Sequence, residues 1–361
     1  ASRRYLALTT GGHFFGVLIN FGSLVLLLDL ARRSVTTGDG AKLPPEIREV
    51  KLKRMTLAIM RGFALISLWS PFGFATNALL IILPGLTYLD FGPIGFAMSF
   101  VFIAVGWAFD RFEGRRYRQM AVSRPVTPSG AGLGALMLLG HVLLLALLVF
   151  VLHEVTVLSF QQALILIVPT YAVFWTGWSG RVTPAGVAGT VRAASRATWR
   201  RFSDTTGEVG VFGSAGFLSV ILIALIPFDP LRLFIADLGF GTVSMALGLS
   251  LSIVAFALVG LNPIVSASVL GAIASQLAIP GLNDAAIALA MTGAWTVAIG
   301  VSPIITTVIL CAGSIGKPPS LVGLIWNGPY SVAMLIIWCG FVGGLIATGT
   351  LRAVRSTLQR V

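Results

Sequence analysis

The polar residues able to do chemistry in this chain are few, and most of them interrupt long apolar stretches. Three segments share one grammar: Trp69-Ser70-Pro71-Phe72-Gly73-Phe74-Ala75-Thr76-Asn77, Gly260-Leu261-Asn262-Pro263-Ile264-Val265-Ser266-Ala267-Ser268, and Gly300-Val301-Ser302-Pro303-Ile304-Ile305-Thr306-Thr307. In each, a hydroxyl or amide side chain precedes a proline, and further hydroxyls follow within a turn or two. Proline removes a backbone donor and glycine loosens a helix, so each segment is expected to break or turn. Ser70, Thr76, Asn77, Asn262, Ser266, Ser268, Ser302 and Thr306 would then present neutral oxygens beside freed carbonyls. Such a donor set suits a hard cation such as sodium, while the start of a half-helix favours an anion. The plainer alternative for each break is a proline kink whose hydroxyls bond back to the helix.

Other reactive groups are sparse. The sequence has no His-Glu-x-x-His, no Asp-rich motif and no Cys/His cluster, so no catalytic residue and no enzyme is expected. Arg61 lies in an apolar region where it could meet an anion, but it is close enough to Arg54 that its side chain is expected to snorkel to the interface. His141 is central in an apolar run with no acidic residue at helical spacing, which predicts packing and a hydrogen bond to a neighbouring helix. Asp29, Asp204, Glu208 and Asp237 fall near the ends of apolar runs, leaving no clear midplane carboxylate for a proton relay. Cys311 and Cys339 sit in apolar runs and imply neither a disulfide framework nor a metal site.

The elements that must position these groups follow from composition. The 361 residues carry 25 Lys plus Arg against 13 Asp plus Glu, a net charge of +12, with 56% hydrophobic and only 11% charged residues. A soluble domain carries about 25% charged residues, and mean hydropathy here is +0.93. The chain reads as an all-α polytopic membrane protein, since its apolar runs are continuous rather than alternating. Spans are expected near 11–30, 92–110, 132–152, 158–178, 208–228, 241–261 and 321–349, with interrupted apolar regions at 55–89 and 262–315. Basic clusters at Arg32–Arg54, Arg111–Arg124, Arg181–Arg201 and Arg352–Arg360 mark cytoplasmic loops rather than a nucleic-acid surface. Residues 34–54 and 181–204 read as interfacial segments. The first apolar run ends in Asp29-Leu30-Ala31-Arg32-Arg33 without a small-residue cleavage site, so it is not expected to be a cleaved signal peptide.

An internal repeat is expected as well. Thr9-Thr10-Gly11 matches Thr205-Thr206-Gly207, Ser70-Pro71 matches Asn262-Pro263, and Leu83-Pro84-Gly85-Leu86 matches Ile279-Pro280-Gly281-Leu282. Ala97-Met98-Ser99 and Gly106 match Ala290-Met291-Thr292 and Gly300. The connector 31–54 is rich in Lys and Arg whereas 229–240 carries only Arg232. The positive-inside bias therefore places the two on opposite sides, the signature of two inverted repeats, each with a re-entrant hairpin and a broken transmembrane helix. The expected organisation is a first repeat over 1–125, linking helices and a basic loop over 126–204, and a second repeat over 205–361.

The order of helix, amphipathic connector, hairpin with a polar tip and broken helix, occurring twice, resembles the divalent-anion/sodium symporters of the ion-transporter superfamily. The resemblance covers about residues 5–350 and lies in architecture, since neither tip carries that family's literal Ser-Asn-Thr triplet. It implies hairpin tips at Ser70–Asn77 and Asn262–Ser268 that bind sodium and substrate carboxylates, with Ser302–Thr306 at an unwound helix beside a second sodium site. It also implies helices preceding the first repeat. The function expected is secondary active transport of a small anionic or polar solute across the cytoplasmic (inner) membrane by alternating access, coupled to sodium or protons. The alternative is a passive channel or a flippase for a larger, lipid-linked amphipathic substrate. No cofactor is expected beyond sodium as a coupling ion. Expected partners are a small-molecule solute and membrane lipids, no nucleic acid, and, because many carriers of this architecture are dimers, a second copy in a homodimer.

Overall fold

The computed structural model describes residues 2–115, 131–201, and 210–351 with gaps at 211–212, 215–216, 219, 222–223 and 238. Those residues form α-helices with short 3-10 and π turns and no strand. Four segments, Gly92–Arg115, Phe160–Gly180, Asp284–Ile315 and Gly328–Ala347, are long and apolar enough to cross a membrane. The chain is an all-α integral membrane protein. Two compact units divide it: Ser129–Ser214, and the pair of segments Ala1–Pro128 and Ala215–Val361.

The helices of the larger unit are α1 (Ser2–Ile19), α2 (Phe21–Thr36), α3 (Pro45–Ala64), α4 (Phe74–Ile82) and α5 (Gly92–Arg115), while α6 (Ala131–Val155), α7 (Phe160–Gly180) and α8 (Gly186–Arg201) form the smaller one. In the smaller unit α7 starts with a capping box, Ser159 Oγ accepting from Gln162 N–H and Gln162 Oε1 from Ser159 N–H. This fixes the turn that folds α7 back on α6. His141 bonds the Tyr171 hydroxyl across that pair, the packing role its sequence context predicts. The basic helix α8 lies on α7 with Arg192, Arg196 and Trp199 exposed, as an interfacial helix requires.

The larger unit continues with α9 (Phe228–Asp237), α10 (Thr242–Leu258), α11 (Pro263–Leu277), α12 (Asp284–Val301), α13 (Thr306–Ile315) and α14 (Gly328–Ala347). The same order of parts occurs twice here. The apolar run 11–30 is not one span: Asn20 takes φ 50°, and α2 folds back so that a methyl on Gly11 would stand 4.0 Å from Leu27 Cδ1. Helices α1 and α2 are thus a hairpin with its tip at Asn20, as α10 and α11 are a hairpin with its tip at 259–262, where Gly260 takes φ 102°. Each hairpin is followed by a broken helix, α3/α4 and α12/α13, and then by a helix opening on Gly-Pro, α5 at Gly92-Pro93 and α14 at Gly328-Pro329.

The region 55–89 is therefore a broken helix rather than a hairpin with its tip at Ser70. Its charged lead-in is the first turns of α3, started by Pro45 at the first helical position, rather than a separate surface helix. By order of parts, Ser70-Pro71 corresponds to Ser302-Pro303 and not to Asn262-Pro263. The likeness of 83–86 to 279–282 has another cause. Both are tight turns, Leu86 N–H bonding Leu83 O and Leu282 N–H bonding Ile279 O at 3.0 Å each, and they lie side by side, joined by Gly85 N–H to Asp284 Oδ2 at 3.0 Å.

Packing ties the parts together. Helix α1 lies on α3 as α10 lies on α12. A Cβ on Gly62 would stand 2.0 Å from the Thr9 carbonyl, and one on Gly12 2.6 Å from the Ile59 carbonyl. Only glycine at both places lets these backbones touch, the usual device where lipid supplies no hydrophobic drive between helices. The short helix α4 lies on α11, and α13 lies on α2. The two broken helices run antiparallel: the residue past α4, Gly85, meets the start of α12 at Asp284, and the residue past α13, Lys317, meets the first turns of α3 at Glu49.

Candidate functional site

The first break is built from its own side chains. Ser70 is fully buried; its N–H bonds Ile66 O at 2.9 Å, its carbonyl accepts from Gly73 N–H at 2.9 Å, and its Oγ accepts from Phe72 N–H at 3.3 Å. Asn77 Nδ2 donates to the Pro71 and Gly73 carbonyls at 3.0 and 2.9 Å. The break thus consumes the amide nitrogen of one expected ligand. Thr76 is buried with an unpartnered hydroxyl. Trp69 Nε1–H donates to His13 Nε2 at 3.0 Å, which places the His13 proton on Nδ1, where it is donated to Gly62 O at 3.1 Å. Tyr88 donates its hydroxyl to Trp69 O at 2.8 Å.

The second break repeats the turn with fewer supports. Ser302 is fully buried, its N–H bonds Ala298 O at 3.0 Å, and its carbonyl accepts from Ile305 N–H at 3.3 Å. Its Oγ accepts from Ile304 N–H at 3.4 Å and donates to Ala257 O, in the last turn of α10, at 2.7 Å. The tip beside it meets the break, since a Cβ on Gly260 would lie 3.4 Å from Ile304 Cδ1. Asn262 is exposed and caps α11, its Oδ1 accepting from Ile264 N–H at 2.9 Å. Ser266 and Ser268 are buried one turn further on, whereas Thr306 is exposed at the first position of α13.

The crossed packing brings most of these groups together. Ile82 of α4 and Gly271 of α11 touch, a Cβ on Gly271 lying 3.4 Å from Ile82 Cγ2, and the turns that follow the two helices are joined where Gly85 N–H bonds Asp284 Oδ2. They therefore run parallel. Gly73 and Asn262 each precede that contact by nine residues, so at a rise of about 1.5 Å per residue the two helix starts lie at one level. Thr76 and Asn77 lie in the first turn of α4 and Ser266 and Ser268 in the first two turns of α11, at adjacent helix N-termini whose positive dipole ends favour an anion. On the other side α13, with Thr306, lies on α2, which starts at Asn20 and whose Ser23 Oγ donates to Asn20 O at 2.7 Å. By order of parts Asn20 and Ser23 correspond to the tip at 259–262 and the helix start that follows it. Nothing in an unbroken apolar run announces them except the amide itself.

Arg61 departs from expectation. It is 3% exposed and its Nε donates to Asn327 Oδ1 at 2.8 Å instead of reaching an interface. It occupies the last turn of α3, a helix that continues inward past Arg54, while Arg54 itself is held at the helix flank by Asp110 at 2.7 and 2.6 Å. Among the described residues no group of three or more His, Cys, Asp or Glu is placed to hold a metal ion.

No family model matches the sequence, and no curated protein matches it. Its fold is similar to that of the Alcanivorax borkumensis YdaH transporter, whose crystal structure has an unusual topology. The likeness covers 96% of this chain and 84% of that one at a TM-score of 0.50, with 17% identity.

Proposed function

We propose that the chain is a secondary active transporter that moves a small anionic or polar solute across the cytoplasmic (inner) membrane by alternating access, coupled to sodium or protons. The observation that carries this reading is the pair of antiparallel broken helices, each with the same buried Ser-Pro turn and each placing its second half on the return arm of the other hairpin. Equivalent parts in antiparallel array support an inverted repeat, and broken helices meeting inside such a repeat are where carriers bind solute and ion. Likeness in fold to a transporter agrees with it. The adjacent starts of α4 and α11 offer their positive dipole ends to an anionic headgroup; Thr76, Ser266, Ser268 and the freed carbonyls supply oxygens for a cation. Ser302 and Thr306, with Asn20 and Ser23, would form the matching half.

Flux into proteoliposomes tests this. A panel of small carboxylates is offered under a sodium gradient, under a proton gradient and under none. Gradient-dependent accumulation is expected, and it should disappear in Asn262→Ala and Ser302→Ala proteins that insert normally. Equal flux without any gradient would instead establish a passive path. Full activity in both variants would remove these residues from the site.

A further inference from the structure

Arg61 is a buried cation without a carboxylate. No Asp or Glu lies within ion-pair distance of it among the described residues, and the nearby acids are already engaged, Asp110 by Arg54 and Glu113 by Lys53. Its guanidinium receives one amide oxygen, from Asn327, and stands 4.5 Å from the Tyr330 ring and 6.0 Å from that of Phe109. Aromatic faces attract a cation but do not neutralise it. A charge at membrane depth is costly enough that it pairs or marks a site.

The groups around it are donors left over. Tyr5, 3% exposed, and Thr9, 0% exposed, are one turn apart on α1, and both hydroxyls are buried without a hydrogen-bond partner. The Tyr5 hydroxyl lies within interaction range of Arg61, Thr9 and the Asp110 carboxylate, whose charge Arg54 balances. On the far side stands Gly106 of α5, where a Cβ would come within 2.1 Å of the Tyr5 oxygen and 3.4 Å of Tyr330. Two hydroxyls and a guanidinium converge where α1, α3, α5 and α14 meet, with a net positive charge and donors to spare. Asn327 passes the arrangement onward, its Nδ2 donating to Gly300 O at 2.9 Å, two residues before the second break, and it directly follows the π turn Leu321–Trp326. Such π turns gather at functional places in helices.

We propose that Arg61, Tyr5 and Thr9 form a buried anion site that holds one small monovalent anion, either a free halide or the carboxylate of a small organic acid. The anion completes the guanidinium's hydrogen bonding and takes the two orphaned hydroxyl protons. The site does not depend on the transport reading, since binding here can be measured in the absence of flux.

The test is thermal unfolding of the detergent-purified chain at fixed sodium and ionic strength, with isethionate exchanged stepwise for chloride, bromide or formate. A ligand of the folded state raises the melting temperature saturably. A saturable rise is expected in the wild type, absent in Arg61→Gln and weakened in the Tyr5→Phe/Thr9→Val double variant. Should Arg61→Gln fail to fold, Gly106→Ala decides: it keeps the charge but drives a methyl into the Tyr5 hydroxyl, so it should fold and lose the anion response. A response to halides assigns the free-ion source, and one to formate alone assigns the carboxylate. Bromide-soaked crystals should show anomalous density beside the guanidinium. A melting temperature indifferent to all three anions, or an undiminished rise in Gly106→Ala, overturns the site.

Discussion

The two breaks are made by the same Ser-Pro turn and held in opposite ways. At the first, His13, Tyr88 and Asn77 bond four groups of the interruption: the Trp69 indole, the Trp69 carbonyl, and the Pro71 and Gly73 carbonyls. At the second, one side-chain bond from Ser302 to Ala257 O joins the turn to its hairpin and Asn327 Nδ2 holds the Gly300 carbonyl, while Ile304 is 53% exposed beside an exposed Thr306. A turn costs the backbone the same hydrogen bonds wherever it occurs, and what differs is how much of the surrounding protein is committed to repaying them. A clamped break suits a fulcrum, and an open one suits the part that exchanges neighbours.

Accessibility should divide the two breaks most sharply. In a background of Cys311→Ala and Cys339→Ala, a thiol introduced by I304C should react with maleimide in the folded protein, and one introduced by S70C only after denaturation. Equal protection at both would erase the contrast. Next in size, His13→Ala orphans the Trp69 N–H and the Gly62 carbonyl together. At about 1–3 kcal/mol for each buried group, denaturant unfolding in micelles should register a loss of roughly 3 kcal/mol. A loss near zero would show that His13 does not clamp the first break. Ser302→Ala removes the tie to the Ala257 carbonyl, which keeps the Gly260 N–H, and takes the side-chain partner from Ile304 N–H, so it should cost only about 1 kcal/mol by the same measurement. Hydrogen exchange should quicken at the end of α10 and the start of α13 but not at α4. Asn262→Ala removes a cap at an exposed helix start and should cost about 1 kcal/mol at most, so that a complete loss of transport in a protein so little destabilised would separate binding from folding.

Much of this was legible in the sequence, for reasons that particular residues make plain. Pro71, Pro263 and Pro303 each announce an interruption, because a ring nitrogen cannot donate and no apolar context disguises it. The tip at Asn20 is invisible by the same logic: its left-handed backbone is imposed by the fold-back of α2 on α1, and 11–30 reads as one apolar run. The order of parts was recoverable but not its register. Ser70-Pro71 is repeated unchanged at Ser302-Pro303 but shares its offset with the other landmarks only at Asn262-Pro263, and the packing of α4 on α11 and of α13 on α2 separates the equivalent from the neighbour. The burial of Arg61 was hidden because its acceptor, Asn327, lies 266 positions away in sequence. Distance from Arg54 along the helix says where a side chain can reach but not which oxygen is waiting.

The crossed arrangement of α4 on α11 and α13 on α2 also dictates an order of manufacture. Helix α4 has nine residues, about 13.5 Å of rise, too little to cross a bilayer core of about 30 Å alone. Its bed, α11, is synthesised only after the whole of Ser129–Ser214 has left the ribosome. The nascent chain must therefore carry a half-helix without its bed while an intervening unit is inserted. Neither half can fold to completion before the other, and a message truncated ahead of α11 yields a substrate for membrane proteases rather than half a protein.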